Sequence, residues 1–72
     1  MQTLSGVVTD IQRLKSSTNG NPRYQFVVGG QIITTAVDCM YGYEITNFID
    51  KHIVCDVAVK RGKLTLINIH RN

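Results

Sequence analysis

Polar and apolar residues alternate along most of this chain, which is the pattern of β-strands that bury one face. Turn-forming residues divide the pattern into five strand-like segments, at residues 4–14, 23–28, 31–38, 52–60 and 63–70. Gly29-Gly30 suits a two-residue hairpin turn of a primed type, and Arg61-Gly62 turns the chain between the last two segments. The pattern therefore predicts an all-β protein.

The second and third segments indicate which face of the predicted sheet is buried. Tyr24, Phe26 and Val28 share the more apolar face of the second segment. The predicted core residues, one from each of four segments, are Phe26, Ile33, Val57 and Leu66. The outward face then carries Arg23, Gln25, Val27, Ile32, Thr34 and Ala36. If the parity is reversed, Tyr24 and Phe26 instead form an exposed aromatic platform.

The last two segments form a hairpin whose alternation falls out of phase. A two-residue turn sets Val57 opposite Leu66, but the same alternation would then bury Asn68 and expose Ile69. We therefore predict a β-bulge near Leu66-Ile67, because one extra residue restores the phase. The predicted inward face of the fourth segment is Ile53, Cys55, Val57 and Val59.

The stretch between the third and fourth segments has a different period. Ile45, Phe48 and Ile49 stand at positions i, i+3 and i+4, which is the spacing of one helix face. The spacing predicts one or two helical turns within residues 43–49.

This order of three strands, a short helix or turn and two further strands resembles the OB-fold. The resemblance implies a five-stranded barrel with a short helix between strands three and four, formed by residues 1–72 as one domain. An SH3-like barrel is the alternative, although it favours a 3₁₀ turn where this chain has Arg61-Gly62. Residues 17–24 and 42–47 also resemble small uncharacterised proteins of actinobacteria and their phages, a resemblance that implies no activity.

Composition narrows the class of protein. The 72 residues are 43% hydrophobic and 18% charged, as expected of one small globular domain. No apolar run approaches the roughly 20 residues of a membrane helix, and residues 1–6 lack the pattern of a secretory signal. We therefore expect a cytoplasmic protein in which Cys39 and Cys55 are reduced thiols, with a single disulfide as the alternative.

The sequence contains no catalytic or metal-binding motif. His52 and Cys55 are three residues apart on a predicted strand, so they point to opposite faces. No Cys-x-x-Cys pair accompanies them, as a structural zinc site would require. The acidic residues are scattered, and no two of them suggest a general acid and base. We expect a protein that is not an enzyme and that uses neither a cofactor nor a metal.

The basic residues favour a nucleic-acid partner. Eight Lys and Arg against five Asp and Glu give a net charge of +3. In an OB-fold, the loop between strands one and two and the loop between strands four and five border the ligand groove. The predicted phosphate-binding residues on these loops are Lys15, Arg23, Lys60, Arg61 and Lys63. Tyr41 or Tyr43 would stack a base beside them. The sequence thus predicts weak binding of single-stranded nucleic acid, such as single-stranded DNA.

The outward sheet face supports an alternative function. Val27, Ile32 and Ala36, joined by Val54, would form a modest apolar patch. Such patches mark protein–protein interfaces. The alternative is a protein-interaction module, acting as an adaptor, an inhibitor or an assembly factor of the kind that phages encode, or a homodimer.

Overall fold

The computed structural model describes residues 1–15, 22–36 and 40–70, with the backbone alone at Met40 and Tyr43. Within these ranges the chain forms the six strands β1 (Gln2–Val7), β2 (Thr9–Leu14), β3 (Arg23–Val28), β4 (Gln31–Thr35), β5 (His52–Lys60) and β6 (Lys63–Ile69). The all-β prediction is confirmed. The strands are hydrogen-bonded in the order β1-β5-β6-β4-β3-β2. The β4–β6 pair is parallel and the other pairs are antiparallel.

The predicted count of five strands is wrong because the first predicted strand is divided at Val8. The Val8 N–H donates to the Lys51 carbonyl at 3.0 Å, and the Val8 carbonyl accepts from the Asp50 N–H at 2.8 Å. The Val8 side chain is fully buried. The two halves on either side of Val8 consequently pair with different strands, β1 with β5 and β2 with β3.

The predicted barrel is also corrected, because the described strands form a mixed sheet that is not closed into one. Strands β1 and β2 stand at the two ends of the strand order. Residues of β1 nevertheless approach the β3–β4 turn: a Cβ at Gly6 would lie 2.6 Å from the Gly29 nitrogen. A glycine is therefore needed at position 6 for this close approach of two backbones.

The core lies on the face that the alternation predicts. Phe26, Ile33, Val57 and Leu66 are all buried, together with Val8, Val28, Ile45, Ile53, Cys55 and Ile69. The predicted core and the predicted parity of β3 and β4 are therefore confirmed, and the reversed parity is wrong. Val59 departs from the prediction with 68% of its surface exposed. Strand β1 covers β5 only as far as Val57, so Val59 extends beyond its neighbour.

The predicted β-bulge is confirmed. Val57 pairs with Leu66 but Asp56 pairs with Asn68, so Ile67 is the extra residue of β6. Ile67 is 37% exposed and Ile69 is 3% exposed. The bulge thus returns Ile69 to the core.

The predicted short helix within residues 43–49 is corrected to two 3₁₀ helices, Met40–Tyr43 and Ile45–Phe48, of which only the second lies within that range. The Glu44 N–H donates to the Tyr41 carbonyl at 3.0 Å and the Asn47 N–H to the Glu44 carbonyl at 2.8 Å. These are i→i+3 bonds, which keep residues i and i+3 on one face and turn residue i+4 away. Ile45 is accordingly buried, whereas Ile49 is 40% exposed.

Candidate functional site

The two hairpin turns of the sheet lie at the same end, because β4 and β6 run parallel. Thr34 pairs with Thr65 and Thr35 with Leu66. Gly29-Gly30 precedes β4, and Arg61-Gly62 precedes β6. All four turn residues have positive φ, as the primed turn type I′ requires. The parallel register therefore brings the Gly29-Gly30 and Arg61-Gly62 turns, which are about 30 positions apart in the chain, to the same end of the outward face.

A cavity on this outward face gathers most of the predicted cations, and we call it the basic groove. Its volume is about 280 Å³, and its lining residues are Arg23, Thr34, Thr35, Ala36, Lys60, Arg61, Lys63 and Thr65. Arg23 comes from the start of β3, and the other three cations come from the β5–β6 hairpin. Four of the five predicted phosphate-binding residues thus lie in one groove.

The cations of the basic groove have no acidic residue beside them in the described part of the chain, where none of the lining residues is Asp or Glu. Within the same residues, Arg23 Nε is buried and makes no hydrogen bond. A buried donor left without an acceptor costs about 1–3 kcal/mol.

Hydroxyl groups form the floor of the basic groove. Thr34 and Thr65 are partners on adjacent strands and are nearly buried. The Thr35 hydroxyl accepts a hydrogen bond of 3.0 Å from the Tyr24 N–H. The Thr65 hydroxyl donates to the Lys63 carbonyl at 3.3 Å. This floor is polar, and it was not predicted because threonines are also common as ordinary strand residues.

A second cavity adjoins the basic groove, and we call it the amide recess. Its volume is about 420 Å³, and it is lined by Gln25, Gly30, Gln31, Ile32, Thr34, Gly62, Lys63 and Leu64. Thr34 and Lys63 line both cavities, so the two are neighbours. Gln25 was predicted to lie on the outward face, but no ligand was assigned to it, and Gln31 was not assigned to a face.

The remaining predicted nucleic-acid residues do not line either cavity. Lys15 is exposed and follows β2, whose last residue Leu14 pairs with Arg23. Tyr41 is half-buried against the core, and its hydroxyl donates to Asn68 Oδ1 at 2.7 Å. The side chain of Tyr43 lies outside the described residues.

The three residues of the predicted apolar patch share the outward face but are not all neighbours. Val27 and Ile32 are cross-strand partners, and Ile32 is 59% exposed. Ala36 lies four residues further along, about 13 Å away at strand spacing, and it lines the basic groove. Val54 lies on β5, two strands from β4. Ile32 instead forms a wall of the amide recess.

A separate polar cluster surrounds Asp56 on β5. The Thr3 hydroxyl donates to Asp56 Oδ1 at 2.8 Å, and His70 Nε2 lies 2.9 Å from Asp56 Oδ2. The hydrogen bonds from Thr3 and His70 lower the pKa of Asp56 below its usual value. The Thr3 hydroxyl and His70 thus bind different oxygens of one carboxylate. It links β1, β5 and the residue that follows β6.

Cys55 is a buried free thiol, which confirms its prediction as a small core residue. Burial, followed by the neighbouring charge of Asp56, raises the pKa of the Cys55 thiol. A raised pKa disfavours the reactive thiolate. Cys39, the other cysteine of the chain, lies outside the described residues.

No family model, curated protein or solved structure matches the chain. A proposal for its function therefore has to be argued from the basic groove and the amide recess. Across residues 1–15, 22–36 and 40–70, no helix is both long enough and apolar enough to cross a membrane. In the same ranges, no three His, Cys, Asp or Glu side chains are grouped as metal ligands.

Proposed function

We propose that this protein binds single-stranded nucleic acid through the basic groove and catalyses no reaction. The observation that carries the proposal is the convergence of Arg23 with Lys60, Arg61 and Lys63 around one cavity. Proteins that bind single strands with little sequence preference use such a positively charged groove to follow the phosphates. Phosphate oxygens would pair with these cations.

The proposal extends to an OB-like fold. If β1 and β2 are counted as one strand bent at Val8, five strands remain, three before the 3₁₀ segment and two after it. That bent strand then lies at both ends of the hydrogen-bonded order. OB-folds bind their ligands on the face of strands two and three beside the loop between strands four and five. In this chain, those elements are β3, β4 and the β5–β6 turn, which line the basic groove.

The position of the acidic residues supports an anionic ligand. Asp56, the carboxylate of the polar cluster, already accepts from Thr3 and His70. Among the described residues, no carboxylate lines the basic groove or the amide recess. The groove cations would attract phosphate over about 10 Å at an ionic strength of 0.1 M.

Fluorescence anisotropy with a labelled dT decamer tests the proposal across a series of salt concentrations. We expect Kd in the micromolar range at low salt, with steep weakening as salt rises. Removing one cation that neutralises a phosphate lowers the magnitude of the log–log salt slope by about 0.7. Lys63→Ala should therefore flatten the slope by about 0.7 if Lys63 meets one phosphate.

Lys51→Ala is the matched control, since Lys51 is exposed and lines neither cavity. It removes the same charge from another part of the surface and should leave the slope unchanged. Equal flattening by the two variants would show that net charge alone attracts the decamer. An absence of binding at low salt would overturn the proposed function.

A further inference from the structure

The two neighbouring cavities differ in chemistry, although they share Thr34 and Lys63. The basic groove contains four cations. The amide recess contains one cation, Lys63, and has Gln25 and Gln31 among its lining residues. The strand of a nucleic acid alternates in the same way, with a charged phosphate beside a neutral, hydrogen-bonding base.

The amide recess exists because β4 and β6 separate towards their turns. The two strands pair at Thr34–Thr65 and Thr35–Leu66, and the pairing does not continue to Gln31 or Lys63. At the open end, a Cβ at Gly30 or Gly62 would meet no atom within 4 Å. The recess is thus a gap between strands that is open towards the turns, and a planar group can enter it from that end.

The lining of the amide recess fits a nucleobase. Ile32, which is 59% exposed, offers apolar surface to one face of a planar ring. Gln25 and Gln31 each offer one carbonyl acceptor and one amino donor. Such an amide can bond a donor and an acceptor on a base edge together, as Gln does with adenine. The volume of about 420 Å³ lies within the range of small-molecule sites.

We propose that the amide recess holds one nucleobase of a single strand whose neighbouring phosphate lies in the basic groove, and that Gln25 and Gln31 bind the edge of this base. The inference rests on the proposed function and adds a base-binding subsite to it. Lys63 lies at the boundary of the two cavities and contacts the phosphate that joins them. The subsite gives this chain a base contact although, among the described residues, no aromatic side chain lines either cavity.

The test compares two labelled decamers with the same backbone, dT10 and a decamer in which abasic residues replace the thymidines. Wild-type protein should bind dT10 about tenfold more tightly, which corresponds to about 1.4 kcal/mol. The salt slopes of the two decamers should agree, because their phosphates are identical. This comparison uses the unmodified protein, so its result does not depend on whether a variant folds.

Gln31→Ala and Gln25→Ala should each reduce the ratio between the two decamers by several-fold while leaving the salt slope unchanged. Gln2→Ala is the matched control, because Gln2 is exposed on β1 and lines neither cavity. It should retain the wild-type ratio. Thermal melting of each variant, with no added decamer, establishes that it is folded.

Each outcome decides between the subsite and the groove. Equal affinity of the wild type for dT10 and the abasic decamer, with steep salt dependence for both, would overturn the base subsite and leave the proposed function standing. A ratio that Gln25→Ala and Gln31→Ala do not change would also overturn it, because the base would then bind elsewhere. No binding of either decamer at low salt would overturn both proposals.

Discussion

The basic groove and the Asp56 cluster both involve the β5–β6 hairpin, and they differ in whether their charges are satisfied within the chain. Asp56 accepts from Thr3 on one oxygen and lies 2.9 Å from His70 on the other. In the groove, four cations face one cavity, and among the described residues no acidic side chain lines it and Arg23 Nε has no acceptor.

This difference separates a structural role from a binding role. A charged group that is already paired stabilises the fold but has little remaining capacity for a ligand. Like charges gathered without a partner contribute nothing to stability, and they attract an ion of the opposite sign. The Asp56 cluster ties β1 to β5 and to the end of β6, whereas the groove is available to phosphate. Changes in the two regions should therefore have different effects.

The largest effect should come from the core that both regions share. Phe26 is fully buried, and Phe26→Ala should lower the free energy of unfolding by about 3–5 kcal/mol. The free energy of unfolding of a small domain is only about 5–15 kcal/mol in total. Much of the variant should therefore be unfolded, and the basic groove and the Asp56 cluster should be lost together. Thermal or urea unfolding measures the change.

Val27→Ala is the control for Phe26→Ala, because Val27 is the next residue of β3 and lies half-buried on the outward face. Its cost should be well under half that of Phe26→Ala. If Phe26→Ala melts like the wild type, the assignment of the core is wrong.

A smaller effect should follow from Asp56→Asn. The hydrogen bonds from Thr3 and His70 lower the pKa of Asp56 in the folded state. Folding therefore gains stability from the ionised carboxylate above its unfolded pKa of about 3.9, and this gain is lost as the pH falls through the lowered value. We expect Asp56→Asn to melt below the wild type at pH 7 and to approach it as the pH decreases below about 4.

Melting curves recorded between roughly pH 2 and pH 7, a range that includes the titration of carboxylates, measure this convergence. Asp10→Asn is the control: Asp10 is exposed on β2, and asparagine tolerates its φ of 53°. A pH-independent difference between Asp56→Asn and the wild type would contradict the structural role of the cluster.

Local signals in the sequence explain how much of this architecture could be predicted. The alternation placed Phe26 and Ile33 in the core, Gly29-Gly30 marked a hairpin turn, and the out-of-phase run after Leu66 indicated the bulge. Each of these features depends on residues close together in the chain. The convergence of Arg23 with the β5–β6 turn followed from the order of elements, which the OB-fold resemblance supplied.

Features that depend on distant contacts could not be predicted. The bend at Val8 depends on backbone hydrogen bonds to Asp50 and Lys51, more than 40 positions away in the sequence. The Asp56 cluster requires the register of β1, β5 and β6 together. The amide recess depends on where the parallel pairing of β4 and β6 stops, and no residue pattern marks that point.

The smallest effect on stability should come from the cations of the basic groove, and it should coincide with the clearest effect on binding. Arg61→Ala combined with Lys63→Ala removes two exposed side chains. Alanine keeps a Cβ at position 61, so the backbone strain at its φ of 53° is unchanged. We expect the free energy of unfolding to stay within about 0.5 kcal/mol of the wild type.

In anisotropy, the salt slope should flatten by up to about 1.4, because two phosphates would no longer be neutralised, and Arg23→Ala should flatten it further. The dT decamer should also raise the Tm of the wild type by mass action, and raise that of the double variant much less. A double variant with the wild-type slope would mean that the β5–β6 turn is only solvated, and the groove would lose its assigned role.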